Sequence, residues 1–165
     1  MPHILNYNKK NLKDVLIQMG YQGFRAEQIH REIYREEGGH LNFQAMQTLP
    51  LTLREALKKT FETQLPEIEH FSKSPCGTTK WLFNMGGSNA IETVYIPEPT
   101  RGTLCISSQV GCALACQFCA TGLAGFMRNL TTAEIIMQVW YARHALQAST
   151  GRKRPITNVV FMGMG

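Results

Sequence analysis

The chain has 165 residues and a mass of 18.6 kDa, with 44% hydrophobic and 18% charged residues and a mean hydropathy of -0.18. That much apolar surface excludes global disorder; no window approaches the roughly 20 apolar residues of a membrane span and Met1 to Lys10 hold no export signal, so a soluble intracellular chain is expected. The net charge of +5 is one-sided: residues 1–100 are neutral, whereas residues 101–165 hold Arg101, Arg128, Arg143, Arg152, Lys153 and Arg154 against Glu134 alone, which suits a polyanionic partner such as nucleic acid.

In chain order, the first 65 residues read as short helices. Asn11 to Met19 is a helical run stopped by Gly20, and Arg25 to Glu36 sets Ala26, Ile29 and Ile33 on one stripe before Gly38 and Gly39. Thr52-Leu-Arg-Glu55 reads as a capping box, followed by Leu53, Ala56, Leu57 and Phe61 at helical spacing. From about Glu67 the pattern turns to strands: Lys80 to Phe83 and Ile91 to Ile96, joined across Asn84 to Asn89 as a hairpin, then Gly102 to Ser107. Ala120 to Leu130, with Gly122 and Gly125, reads as a loop. Thr131-Thr-Ala-Glu134 is a second capping box, opening an amphipathic helix to about Ser149. After a basic turn, Ile156 to Met162 has the continuous apolar, β-branched character of a buried parallel strand, which completes a βαβ unit. Because such a strand calls for further cover, the chain is expected to be a fragment of a longer protein, with an exposed edge at Ile156 to Met162 through which it self-associates.

The predicted organisation is therefore a helical domain at 1–65, a β-hairpin linker at 66–100 and a mixed segment at 101–165, in an α+β fold. Five cysteines, Cys76, Cys105, Cys112, Cys116 and Cys119, are an odd number without an export signal, which argues against a disulfide scaffold. Cys76 in Ser-Pro-Cys-Gly reads as a turn cysteine.

Cys112, Cys116 and Cys119 have the spacing C-x3-C-x2-C. Three soft thiolates within eight residues select zinc or an iron-sulfur cluster over hard cations. No fourth Cys or His follows at short spacing, and His144 falls inside the predicted helix, so the simplest reading is a four-iron cluster with one open iron. A zinc site completed by a distant ligand, or buried cysteines that bind nothing, stay open on spacing alone.

With Phe118 before its last cysteine, the loop resembles the signature of radical S-adenosylmethionine enzymes. Further segments resemble the bacterial dual-specificity adenine-C2 RNA methyltransferases, the RlmN family: Phe24-Arg-Ala-Glu-Gln28, Lys80-Trp81, Ile91-Glu-Thr-Val-Tyr-Ile-Pro97, Leu104-Cys-Ile-Ser-Ser-Gln-Val-Gly-Cys112, Gly125-Phe-Met-Arg-Asn-Leu130 and Pro155-Ile-Thr-Asn-Val-Val160. The likeness runs from about residue 10 to the end of the chain.

The resemblance implies that 101–165 opens a partial (β/α)6 barrel and that 1–65 is an accessory, RNA-docking domain. It also implies a [4Fe-4S] cluster held by Cys112, Cys116 and Cys119. S-adenosyl-L-methionine would chelate the open iron, with Gly163 and Gly165 in the cofactor-binding motif. The implied reaction is methylation of C2 of adenosine in 23S rRNA and tRNA, in the cytoplasm, with an electron donor for the cluster. In it a C-terminal cysteine carries the methyl group, a covalent protein-RNA adduct forms, Glu92 takes the C2 proton, and Cys105 attacks the methylated cysteine to form a disulfide and free the product. The methyl-carrying cysteine has no counterpart in this sequence, so the chain by itself is expected to be inactive. Two other readings are a C8-methylating resistance relative and a non-catalytic RNA-docking or iron-sulfur module. Arg152-Lys-Arg154 offers phosphate contacts or a solvated turn, and Arg128 and Asn129 either order the loop or meet substrate.

Overall fold

A computed structural model describes residues 1–87, 89–114, 116–123 and 125–165. Ser88 of the predicted hairpin loop, Ala115 within the cysteine motif and Ala124 of the predicted 120–130 loop lie outside the described residues. The chain divides into two units, Met1–Gln64 and Leu65–Gly165.

The first unit packs three helices, α1 (Lys9–Gln18), α2 (Arg25–Tyr34) and α3 (Leu51–Thr60). Apolar residues at helical spacing give each one buried stripe: Leu12 and Leu16 on α1, Ile29 and Ile33 on α2, Leu53 and Leu57 on α3. The Asn8 side chain accepts the Asn11 N–H at 2.9 Å, so α1 starts earlier than the apolar run suggests. The capping box expected at Thr52 does not form. Pro50 precedes the first helical residue, its missing N–H costs nothing there, and Thr52 already lies inside the helix.

In the second unit, strands β1 (Ile68–Lys73), β2 (Thr79–Asn84), β3 (Ala90–Pro97) and β4 (Gly102–Cys105) run as an antiparallel meander. Two further strands, β5 (Gln109–Gly111) and β6 (Phe126–Asn129), form a separate pair around the cysteine segment, with a single helical turn, α4 (Ala120–Leu123), between them. Helix α5 (Thr132–Thr150) then leads to β7 (Asn158–Val160), which pairs parallel to β4. The main sheet has the order β1-β2-β3-β4-β7, so the strands of 66–100 share one sheet with those of 101–165 and do not form a separate linker.

Period-two alternation turns Trp81, Phe83, Ile91, Tyr95 and Leu104 into one core with Ala142 and Leu146 of α5. Tyr141 stands edge-on to Phe83, with ring centroids 5.4 Å apart. The second predicted capping box is formed: Thr131 Oγ1 accepts the Glu134 N–H and Glu134 Oε2 accepts the Thr131 N–H at 2.7 Å. Gly151, at φ 67°, closes the other end of α5. Thr131→Ala is expected to cost about 1 kcal/mol of stability, seen as a lower denaturant midpoint with unchanged slope.

Two expectations need correction. The 120–130 segment is not a loop throughout, because it holds α4 and β6, and Gly111 (φ 75°) lies so close to the Gly125 carbonyl that a side chain there would collide with it. The run Ile156 to Met162 forms only the short β7, and it is not buried: Val159, Phe161 and Met162 are exposed. The apolar run reads as a buried strand, but β7 is at the sheet edge, where one side of the strand has no partner strand among the described residues.

Candidate functional site

The strand alternation that buries Leu104 beneath α5 sends Thr103 and Cys105 to the opposite face of the sheet. Cys105 pairs with Val94 of β3 on one side and Val160 of β7 on the other. Glu92 is two residues from Val94 on the same face, which makes it a diagonal neighbour of Cys105 at about 7–8 Å between Cα atoms. Lys80 of β2 also faces this way, and its Nζ donates to Glu92 Oε1 at 2.9 Å, both side chains being about 40% exposed. The two residues singled out in the sequence, Glu92 and Cys105, thus share the sheet face turned away from α5.

Beneath them lies a buried polar network that sequence reading missed. Gln138 of α5, 1% exposed, accepts from Thr93 Oγ1 and from the Ser107 N–H, both at 2.8 Å, and its Nε2 donates to the Ser107 carbonyl at 2.9 Å. Ser107 Oγ donates in turn to the Glu92 carbonyl at 2.7 Å and accepts the Met164 N–H at 3.1 Å. These bonds satisfy groups that would otherwise be costly to bury, and they fix the backbone of Glu92 to the segment that follows Cys105. A signal was present: Gln138 interrupts the apolar stripe formed by Ile135, Ala142 and Leu146.

Gly163 and Gly165 fold back onto the same segment. A Cβ on Gly163 would lie 2.8 Å from Ser107 Oγ, and Gly165 adopts φ 123°, a conformation reserved for glycine. Between them, the Met164 carbonyl accepts the Ser108 and Gln109 N–H groups at 2.8 and 3.0 Å. Close packing against residues 106–109 accounts for both glycines in this chain.

The cysteine segment is held at its ends. The Cys112 N–H donates to the Gly125 carbonyl at 3.0 Å, and the Cys119 N–H donates to the Cys116 carbonyl at 3.1 Å. Cys112, Cys116 and Cys119 are all partly exposed free thiols, as is Cys105, while Cys76 is a fully accessible one. Hydrogen bonds from the Gly122 and Thr121 N–H groups hold the Cys119 thiol below its ordinary pKa, which favours the thiolate that binds soft metals. Among the described residues, however, no group of three or more Cys, His, Asp or Glu side chains converges as a ligand set. The bonds above fix the backbone ends and the turn, not the thiol directions. The chemistry of the donor set fits a thiophilic iron-sulfur or zinc centre; the gathered geometry is not displayed.

Arg128 makes a bidentate pair with Glu134 of α5, at 2.9 and 2.8 Å, which ties β6 to the helix, and Asn129 accepts from Gln109 Nε2, which ties β6 to β5. A cleft of about 310 Å³ adjoins the cysteine segment, lined by Ala90, Val110, Gly111, Thr121, Met127 and Met164. A larger cleft of about 460 Å³ lies at the Gly102 end of the sheet, away from Cys105, beside Cys76. There, hydrogen bonds with Ser74 and Thr78 bring the Cys76 thiol down to about 7. No helix among the described residues is long and apolar enough to cross a membrane.

Residues 3–63 match the ribosomal RNA large subunit methyltransferase N-terminal domain. The whole chain superposes on the crystal structure of a radical SAM methyltransferase from Sphaerobacter thermophilus with a TM-score of 0.86 and 37% identity, covering 100% of this chain and 47% of that one. The chain thus spans less than half the length of that solved structure. The helical unit thus matches the N-terminal domain of the ribosomal RNA large subunit methyltransferase family, RlmN, and the full length, cysteine segment included, is similar to part of a radical SAM methyltransferase.

Proposed function

We propose that this chain supplies the accessory helical unit and the opening of the catalytic barrel of a radical S-adenosylmethionine RNA methyltransferase that acts on C2 of adenosine in 23S rRNA and tRNA through a methylated-cysteine intermediate. The observation that carries the reading is the common sheet face of Glu92 and Cys105, on the strands that lead into the three-cysteine segment. C2 of adenine is a poor nucleophile, so methylation there needs chemistry beyond simple displacement. A [4Fe-4S] cluster on Cys112, Cys116 and Cys119, with S-adenosyl-L-methionine near Gly163 and Gly165, would supply radical initiation. The work of this chain's own residues is then polar. Glu92 takes the C2 proton once the ring is linked to the protein. Cys105, as its thiolate, attacks the sulfur of the methylated cysteine; the disulfide bond forms as the sulfur–carbon bond breaks, and the electron pair stays on the ring-bound carbon, which takes up a proton to become the methyl group.

The basic excess of residues 101–165 supports a polyanionic substrate. An electron donor for the cluster and a cytoplasmic location belong to the same reading, and the exposed Val159, Phe161 and Met162 support self-association of the isolated chain. The test is anaerobic incubation of the full-length enzyme with S-adenosylmethionine, a reductant and an RNA helix, followed by mass spectrometry of the nucleosides. The expected product is 2-methyladenosine. 8-Methyladenosine would replace the C2 assignment with the C8 alternative, and unmodified adenosine would remove both.

A further inference from the structure

The cross-strand pair between Lys80 and Glu92 has no evident structural purpose. With both side chains about 40% exposed, a single ion pair adds little to stability. It is not required to fill the core either, since the packed face of β2 is formed by Thr79, Trp81 and Phe83. What the pair does is local. The ammonium engages one carboxylate oxygen, Oε1, at 2.9 Å, and so removes rotamer freedom from Glu92 while its other oxygen is left for a second partner. The Glu92 carbonyl is meanwhile held by Ser107 Oγ at 2.7 Å, so both ends of the residue are fixed. The register makes this possible: Lys80 stands opposite Val94 and Leu82 opposite Glu92, which puts the Lys80 side chain diagonal to the carboxylate and on the face that carries Cys105.

We infer that Lys80 is a positioning residue that holds the Glu92 carboxylate oriented to accept a proton from the substrate. The inference rests on the proposed role of Glu92. In the step concerned, the C2–H bond of the linked adenine breaks, its electron pair stays with the ring, and the proton goes to a Glu92 carboxylate oxygen. A correctly placed base contributes about 10²–10⁴-fold to such a step, and a base that wanders loses part of that. Lys80 acts through Glu92 and needs no contact with RNA.

The test uses the full-length enzyme, with Lys80→Met, Lys80→Arg, Glu92→Gln and the Lys80→Met/Glu92→Gln double variant, and a substrate deuterated at C2. Lys80→Met is expected to lower kcat by about 10-fold or more, with KM within about 2-fold. The covalent protein-RNA adduct should persist on denaturing gels, and the deuterium isotope effect on its breakdown should rise. Lys80→Arg should restore most of the rate, and Lys80→Met should cost nothing further once Glu92 is Gln. Independently of turnover, the ¹³C-carboxyl resonance of Glu92 should move in Lys80→Met and return in Lys80→Arg. A cost of Lys80→Met that persists in the Glu92→Gln background, or an Arg variant no better than Met, overturns the inference. If Glu92→Gln traps the adduct while Lys80→Met turns over normally, only the role of Lys80 falls. If Glu92→Gln itself turns over normally, the reading of Glu92 falls and takes this one with it.

Discussion

Reconstituted anaerobically with iron and sulfide, the chain is expected to take up a four-iron cluster, and Cys112→Ala, Cys116→Ala and Cys119→Ala should each abolish it. Three free thiols spaced within one short segment are a soft donor set, and hydrogen bonds from Gly122 and Thr121 already tip Cys119 toward its thiolate. Removing an outer partner of a metal site costs about 10–100-fold in affinity, and loss of a direct ligand from a set of three costs more. Cys76→Ala should leave iron and sulfide content unchanged, because that thiol sits in the turn between β1 and β2, beside the cleft at the Gly102 end of the sheet. Iron and acid-labile sulfide analysis, with the visible absorption of the cluster, reads all four variants. One zinc per chain without sulfide, or full cluster content in any of the three loop variants, would sink the assignment. Since the thiols are not gathered among the described residues, iron uptake should also slow hydrogen exchange between β5 and β6, as the segment they hold becomes a closed ring of ligands.

The difference between what was legible in the sequence and what was not follows from how far each signal travels along the chain. A capping box is a contact between residues three apart, and Thr131 with Glu134 formed as read. The same pattern at Thr52 with Glu55 failed because Pro50, two residues earlier, starts the helix first. Strands β2, β3 and β4 were legible from alternation that one covered face imposes. Strand β1 was not, since five of its six residues are exposed and its place is set by pairing with β2, where Phe71 lies opposite Trp81. The exposed edge at β7 followed from the missing cover, whereas the exposure of Val159, Phe161 and Met162 did not, because an apolar, β-branched run by itself reads as buried.

For the site, cysteine spacing carried the donor set but not the directions of the thiols. The face shared by Glu92 and Cys105 needed the β3–β4 register, which fixes parity between strands and is invisible in either strand alone. Gln138 was missed for a related reason: its partners Thr93 and Ser107 are 45 and 31 residues away, and only the fold brings them together.

Cys105→Ala in the full-length enzyme is expected to stop turnover after its first chemical stage and to leave protein covalently joined to RNA. The argument starts from position. Cys105 is the last residue of β4, partly exposed and a free thiol, flanked by Val94 and Val160, with Glu92 on its diagonal. Nothing in that placement asks for a thiol as packing, since the core side of β4 is filled by Leu104. Alanine should therefore be tolerated by the fold, because the site is partly open and leaves no closed cavity behind. What alanine removes is a sulfur nucleophile beside the proposed base. Without it the carbon–sulfur bond of the adduct has no partner to attack it, and a band of protein plus RNA should accumulate on denaturing gels and resist heat and detergent. Glu92→Gln should also trap a covalent adduct, one step earlier and with the C2 proton still in place, by withholding the proton acceptor. The two variants are expected to be non-additive, because either one already blocks the sequence of steps that releases the adduct. Cys105→Ser, with a far poorer nucleophile of nearly the same shape, should behave as alanine does. Normal methylation by Cys105→Ala would show that release proceeds without this thiol, and the sheet face it shares with Glu92 would then have to be explained as packing alone.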